Sequence, residues 1–95
     1  MKHLILLPDA IGDLSDIRNY TISQWGLGQA ETYLVEMGAA FRKIANGEAV
    51  SRAVEHRDLR KFRFQSHMIY FLESDDSVQI VRVLHGSMDA ERHLG

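Results

Sequence analysis

Apolar residues along the chain fall into three patterns, and each predicts a different element. His3 to Leu7 is a short apolar run closed by Pro8, the size of a first strand. From Asp9 onward Ala10, Leu14, Ile17, Thr21 and Trp25 recur at three- and four-residue steps, which predicts one face of a helix, while Asp13, Asp16 and Arg18 point elsewhere. Pro8 or Asp9 starts this helix, early aspartates suit its partly positive N-terminal end, and Gly26 and Gly28 bracket its stop. A second helix follows from Ala30, Tyr33, Leu34, Met37, Phe41, Ile44 and Ala45, which keep the helical period up to an Asn46-Gly47 cap. The short link makes the two an antiparallel hairpin.

Residues 48–58 have mixed polarity and no sustained period, and read as a loop. Leu59 to Phe64 alternates, with Phe62 and Phe64 on one side and Lys61 and Arg63 on the other, the period of a half-buried strand with a cationic outer face. Met68 to Leu72 is apolar throughout and suits a central strand, and Val78 to Leu84 forms the last one. Gly86 to Gly95 is a polar tail, too short to pack independently, with Met88 and Leu94 as apolar anchors. The expected architecture is α+β: an N-terminal strand and a helical hairpin packed on a mainly antiparallel sheet of three or four strands. Two helices cover one sheet face only, so the other face or an edge is left to water or a partner.

Ninety-five residues predict a single domain spanning 1–95. With no cysteine, disulfide frameworks, thiolate metal sites and thiol catalysis are excluded. Leu4 to Leu7 is too short for a signal-peptide core of roughly 7 to 15 apolar residues, and no stretch approaches the roughly 18 to 20 that cross a bilayer, so a soluble cytoplasmic protein is expected. The net charge of −2 is unevenly spread. Seven of the 11 Lys and Arg residues lie between Arg42 and Arg63, which points to a localised positive surface.

Candidate chemistry is sparse. His3, His56, His67, His85 and His93 form no HxH or HxxxH pair, so no metal and no other cofactor is expected. Gly26-Leu27-Gly28 lacks the third glycine and the strand-to-helix setting of a nucleotide loop. Asp75-Asp76 suits a hairpin turn, and no serine sits in a nucleophile elbow. One constellation remains: Arg60, Lys61, Arg63, Arg82 and His85 on adjacent strands, with His67 at the turn between two of them. It could clamp a phosphodiester and supply a base, or serve as an electrostatic docking face. Exposed apolar positions on the helices, such as Tyr20 and Ile22, predict burial against another chain.

The chain resembles the ParE branch of the RelE/ParE toxins of bacterial type II toxin–antitoxin modules. The likeness runs through Asp13-Leu14 with Ile17 and Tyr20, Trp25-Gly26 with Gln29-Ala30 and Tyr33, and Arg60-Lys61-Phe62. It continues through Ser66-His67 with Ile69, then Ile80 to His85, Ser87-Met88-Asp89 and His93-Leu94. The resemblance implies a growth-inhibiting toxin that poisons DNA gyrase by binding, without catalytic residues, and that a cognate antitoxin neutralises. On that basis Arg60, Lys61, Arg63, His67, Arg82, His85, Met88 and Asp89 are the expected target contacts, and Tyr20, Trp25, Tyr33, Met37 and Phe41 the expected antitoxin contacts. A RelE-like ribosome-dependent messenger RNA endonuclease is the alternative, although no tyrosine follows Tyr70 to serve the late position that branch uses. Two positions depart from the family pattern: Leu7 stands where Ser or Thr often caps the first helix, leaving Asp9 to do so, and Gln65 replaces the usual turn glycine.

Overall fold

A computed structural model describes residues 2–94. In chain order it contains strand β1 (His3–Leu6), helices α1 (Pro8–Trp25) and α2 (Leu27–Ala45), and strands β2 (Arg52–Ala53), β3 (Arg60–Phe64), β4 (His67–Glu73) and β5 (Ser77–His85). A four-residue helix, α3 (Ala90–His93), closes it. The sheet has five strands in the order β1-β5-β4-β3-β2. All neighbours are antiparallel except β1 and β5, which run parallel with His3 beside Ser77 and Leu6 beside Ile80. The α+β architecture is the expected one, with one strand more: Arg52–Ala53 pairs with Arg60 and Lys61 inside the segment that reads as a loop. Two paired residues are too few to leave a periodic trace in the sequence.

Gly26 alone joins the helices. It adopts φ 90° and ψ 169°, donates its N–H to the Ile22 carbonyl to end α1, and is the N-cap of α2. Gly28, expected at the stop, lies inside the first turn of α2. At the start of α1 Leu7 is the N-cap with no side-chain bond, and Asp9 sits within the first turn without capping it. Pro8 at the first helical position lacks an N–H and so removes one group that would otherwise need a partner.

The core lies between the helical hairpin and one face of the sheet. Ala10 and Ile17 from α1, Met37, Ala40, Phe41 and Ile44 from α2, and Ile69, Phe71, Val78, Ile80 and Val83 from the strands form one buried cluster. Burying each of the larger side chains contributes about 1.5–3 kcal/mol. Register explains how both Val78-Ile80 and Val83 reach it: Tyr70 pairs with Arg82 but Phe71 pairs with Ile80, so Val81 is bulged out and the alternation of β5 reverses there. On the other face the row Lys61–Tyr70–Arg82 runs across three strands, followed by Arg63–Met68–Leu84. Tyr70 and Leu84 are buried yet stand outside the main cluster.

The β3–β4 turn consists of Gln65 and Ser66, and Gln65 takes φ 51°. This hairpin geometry wants positive φ at its first central residue, where glycine is unstrained. Gln65 therefore keeps the turn that its residue type resists, at a cost of about 1–2 kcal/mol.

Candidate functional site

The functional residues expected from the sequence do not gather in one place. Lys61 and Arg63 occupy the sheet face away from the helices, with Arg63 exposed and its Nε–H donating to the Gln65 carbonyl at 2.9 Å. Arg60 is in register with Phe71 and so belongs to the helix-covered face, where it donates to the Ser51 hydroxyl at 2.6 Å and the Ser51 carbonyl at 2.9 Å. Arg82 is not a free cation. Its Nε and Nη2 donate to the two Asp13 carboxylate oxygens at 2.8 and 2.7 Å, and Asp13 Oδ2 also accepts the Val83 N–H at 2.8 Å. β1 ends opposite Ile80, so beyond it the edge of β5 needs a partner, and α1 supplies one through Asp13. The hydrogen bond to Asp13 raises the guanidinium above its ordinary value; burial opposes this, and the charges of Asp13 and Asp9 add to the rise. The five-residue constellation expected on adjacent strands is thus dispersed, with Arg60 held by Ser51 and Arg82 by Asp13.

His67 and His85 are cross-strand partners on the helix-covered face. Their rings meet edge to face, with centroids 5.4 Å apart. Tyr33 of α2 reaches down to them, its hydroxyl 2.6 Å from His67 Nδ1, with Ser66 Oγ at 3.5 Å. His85 Nδ1 accepts the Ser87 N–H at 3.1 Å and lies 2.7 Å from Ser87 Oγ, so the neutral ring carries its proton on Nε2. Both Nδ1 atoms are thereby committed within the protein. Burial, and then the neighbouring His85, lower the pKa of His67 below the ordinary 6.5.

This shift has a testable sign. The unfolded His67 takes up its proton at about pH 6.5, the folded one only at lower pH. Within that window the unfolded chain binds more protons, so its contribution to stability is complete above it and lost on acidification. Urea unfolding midpoints are expected to fall from about pH 7.5 to about pH 5.5, and His67→Gln to flatten part of that slope. An unchanged slope in the variant would place the titration elsewhere.

The histidine pair forms the polar end of a cleft of about 620 Å³ between α1, α2 and the ends of β4 and β5. Ile17, Tyr20 and Trp25 line its α1 side, Gln29 and Tyr33 its α2 side, and Ser87 and Met88 its rim. Tyr20 is 65% exposed, Trp25 73% and Met88 48%, so the mouth is an open apolar lip. Trp25, expected on one face of α1 with Ile17 and Thr21, ends that helix as an exposed ring and lines the cleft beside them. Met37 and Phe41, expected to meet a partner, are core residues at 0% and 4% exposure and offer it no surface. Asp89 lies outside the cleft, where its side chain accepts the Glu91 N–H and caps α3. Asp13, absent from the expected site, is the organising residue on the edge of β5; its partner lies 69 positions away, so no local pattern marks it.

Among the described residues no group of three or more His, Asp or Glu side chains could hold a metal ion, and no helix is long and apolar enough to cross a membrane.

Comparison with known proteins decides the family. The profile of the ParE toxin of the type II toxin-antitoxin system, parDE, matches residues 4–90. The chain belongs to the ParE toxin family. It is 35% identical over 97 residues to Toxin ParE1 of Caulobacter vibrioides, a match covering all of both chains. It is 33% identical over 93 residues to Toxin ParE1 of Mycobacterium tuberculosis, covering 95% of each. A chain from a structure titled "Chromosomal ParDE TA system from P. aeruginosa" superposes with a TM-score of 0.79 at 17% identity, over 90% of this chain and 96% of that one. That likeness establishes the ParE fold, and the match over residues 4–90 takes in both the cleft and the Asp13–Arg82 pair of this ParE toxin.

Proposed function

We propose that this ParE toxin inhibits DNA gyrase by binding it, breaking no bond itself, and that a cognate antitoxin neutralises it in the cytoplasm. The observation that carries this reading is the separation of charge from acid–base groups. Lys61 and Arg63 stand on one face of the sheet, whereas His67 and His85 stand on the other with their Nδ1 atoms engaged. A ribonuclease needs its phosphate clamp and its proton-transfer groups within reach of one scissile bond. A binding surface has no such requirement. Lys61 and Arg63, with the tail that runs from His85 at the end of the cleft to His93 against Arg82, make the target surface in this reading. The antitoxin takes the cleft, where Tyr20, Trp25 and Tyr33 supply apolar anchors beside hydrogen-bonding groups.

The test is a supercoiling assay with purified gyrase. The wild-type chain is expected to inhibit supercoiling and to trap cleaved DNA. Joint Lys61→Ala and Arg63→Ala replacement is expected to weaken inhibition about tenfold or more while leaving the fold intact. Cleavage of transcripts in polysomes, with supercoiling unaffected, would overturn the proposal in favour of the RelE-like endonuclease.

A further inference from the structure

The last turn of the chain is tied down from two directions. Arg57 Nη1, in the turn between β2 and β3, donates to the Leu94 carbonyl at 3.1 Å, and its Nη2 lies 3.8 Å from Glu91. Arg82 Nη1 donates to the His93 carbonyl at 2.9 Å while its other nitrogens are held by Asp13. These two carbonyls belong to the end of α3, where the helix leaves acceptors without intrahelical donors. The turn that carries Arg57 is itself braced, since the Val54 N–H donates to the Leu59 carbonyl and the Arg57 N–H to the Val54 carbonyl. Arg57 is half-buried although its turn is otherwise largely exposed. A four-residue helix has no stability of its own, because helix nucleation is unfavourable and so few bonds follow it. Something outside the helix must order this segment, and the two guanidinium groups supply its hydrogen bonds from outside, beside the partial burial of Ala90 and Leu94.

We propose that Arg57 is a positioning residue: with Arg82 it clamps the terminal turn of the chain, and so presents the tail, including Met88 and Asp89, in a defined arrangement to the toxin's target. This rests on the proposed role of the tail in gyrase binding. Arg82 is anchored in α1 through Asp13, so Arg57 is the member of the clamp that can be removed without disturbing the fold, leaving the tail on the single His93 bond. Lysine is a poor substitute, since a single ammonium cannot reach the Leu94 carbonyl and Glu91 with the spread of a planar guanidinium.

The experiment compares the wild-type chain with Arg57→Ala and Arg57→Lys. Backbone 15N relaxation reads order at residues 88–94, thermal melting reads the fold, and supercoiling inhibition reads function. In Arg57→Ala, order parameters across 90–94 are expected to drop from the rigid range of about 0.85 to below about 0.6. Its melting temperature is expected to stay close to that of the wild type, and its inhibition to weaken about tenfold. Arg57→Lys should fall between. A tail that stays ordered in Arg57→Ala overturns the clamp. A tail that becomes mobile with inhibition undiminished overturns the positioning role and leaves gyrase binding standing. A wild-type chain that fails to inhibit gyrase overturns the target reading and the positioning role with it, while the relaxation data still decide whether Arg57 holds the tail.

Discussion

Replacing Arg82 with alanine lowers the unfolding free energy by about 2–4 kcal/mol, the range for losing one partner of a largely buried ion pair whose edge still meets water. The Arg82 side chain is 20% exposed and that of Asp13 11%. Removing the guanidinium leaves the Asp13 carboxylate with the Val83 N–H as its remaining partner, and the His93 carbonyl loses its donor. Asp13→Ala is expected to cost as much, because it takes the acceptor away from Arg82 Nε and Nη2 and from the edge N–H of Val83. The double variant should cost less than the two single changes added together, with a coupling of about 1–3 kcal/mol. Urea denaturation followed by far-ultraviolet circular dichroism measures all three. A loss below about 0.5 kcal/mol for Arg82→Ala would mean that the pair behaves as an ordinary surface bridge. Arg82 is consequently a poor probe of target binding: a non-toxic Arg82 variant would report a weakened fold, whereas Lys61 and Arg63 can be changed cleanly.

The second large effect separates core from docking surface on the helical hairpin. Phe41→Ala removes a ring that is 4% exposed and packed in the main cluster, and should cost about 3–5 kcal/mol. Trp25→Ala removes a larger ring that is 73% exposed, and should change stability by less than about 0.5 kcal/mol. Antitoxin affinity should show the opposite order, with Trp25→Ala weakening it and Phe41→Ala acting only through the fold. Chemical denaturation paired with calorimetric titration checks both. Equal stability losses for the two variants would contradict the burial difference.

The helical hairpin and the three long strands are legible in the sequence because each carries an uninterrupted period. Where that period fails, a specific residue is responsible. Val81 is apolar yet bulged, so Val78, Ile80, Val81, Val83 and Leu84 read as one continuous apolar run when they in fact serve two faces. Met37 and Phe41 carry the same helical period as Tyr33, and spacing alone does not say which of the three lies under the sheet and which at the cleft mouth. The site is less legible than the fold for a related reason. Charge tells that a cation is present, but not whether a carboxylate 69 residues away has already engaged it, as Asp13 has engaged Arg82. Alternation did place Lys61 and Arg63 opposite Phe62 and Phe64, because side chains on a strand can only go to one face or the other.

The parallel pairing of the first strand with the last has a bearing on biogenesis. His3–Leu6 pairs within the sheet with Ser77–Ile80, so the sheet cannot close until that distant segment has been made. The hairpin of α1 and α2 draws on nearby residues and can form while translation continues. The concave surface between hairpin and sheet therefore comes into existence last, and a growing chain on the ribosome does not yet possess it.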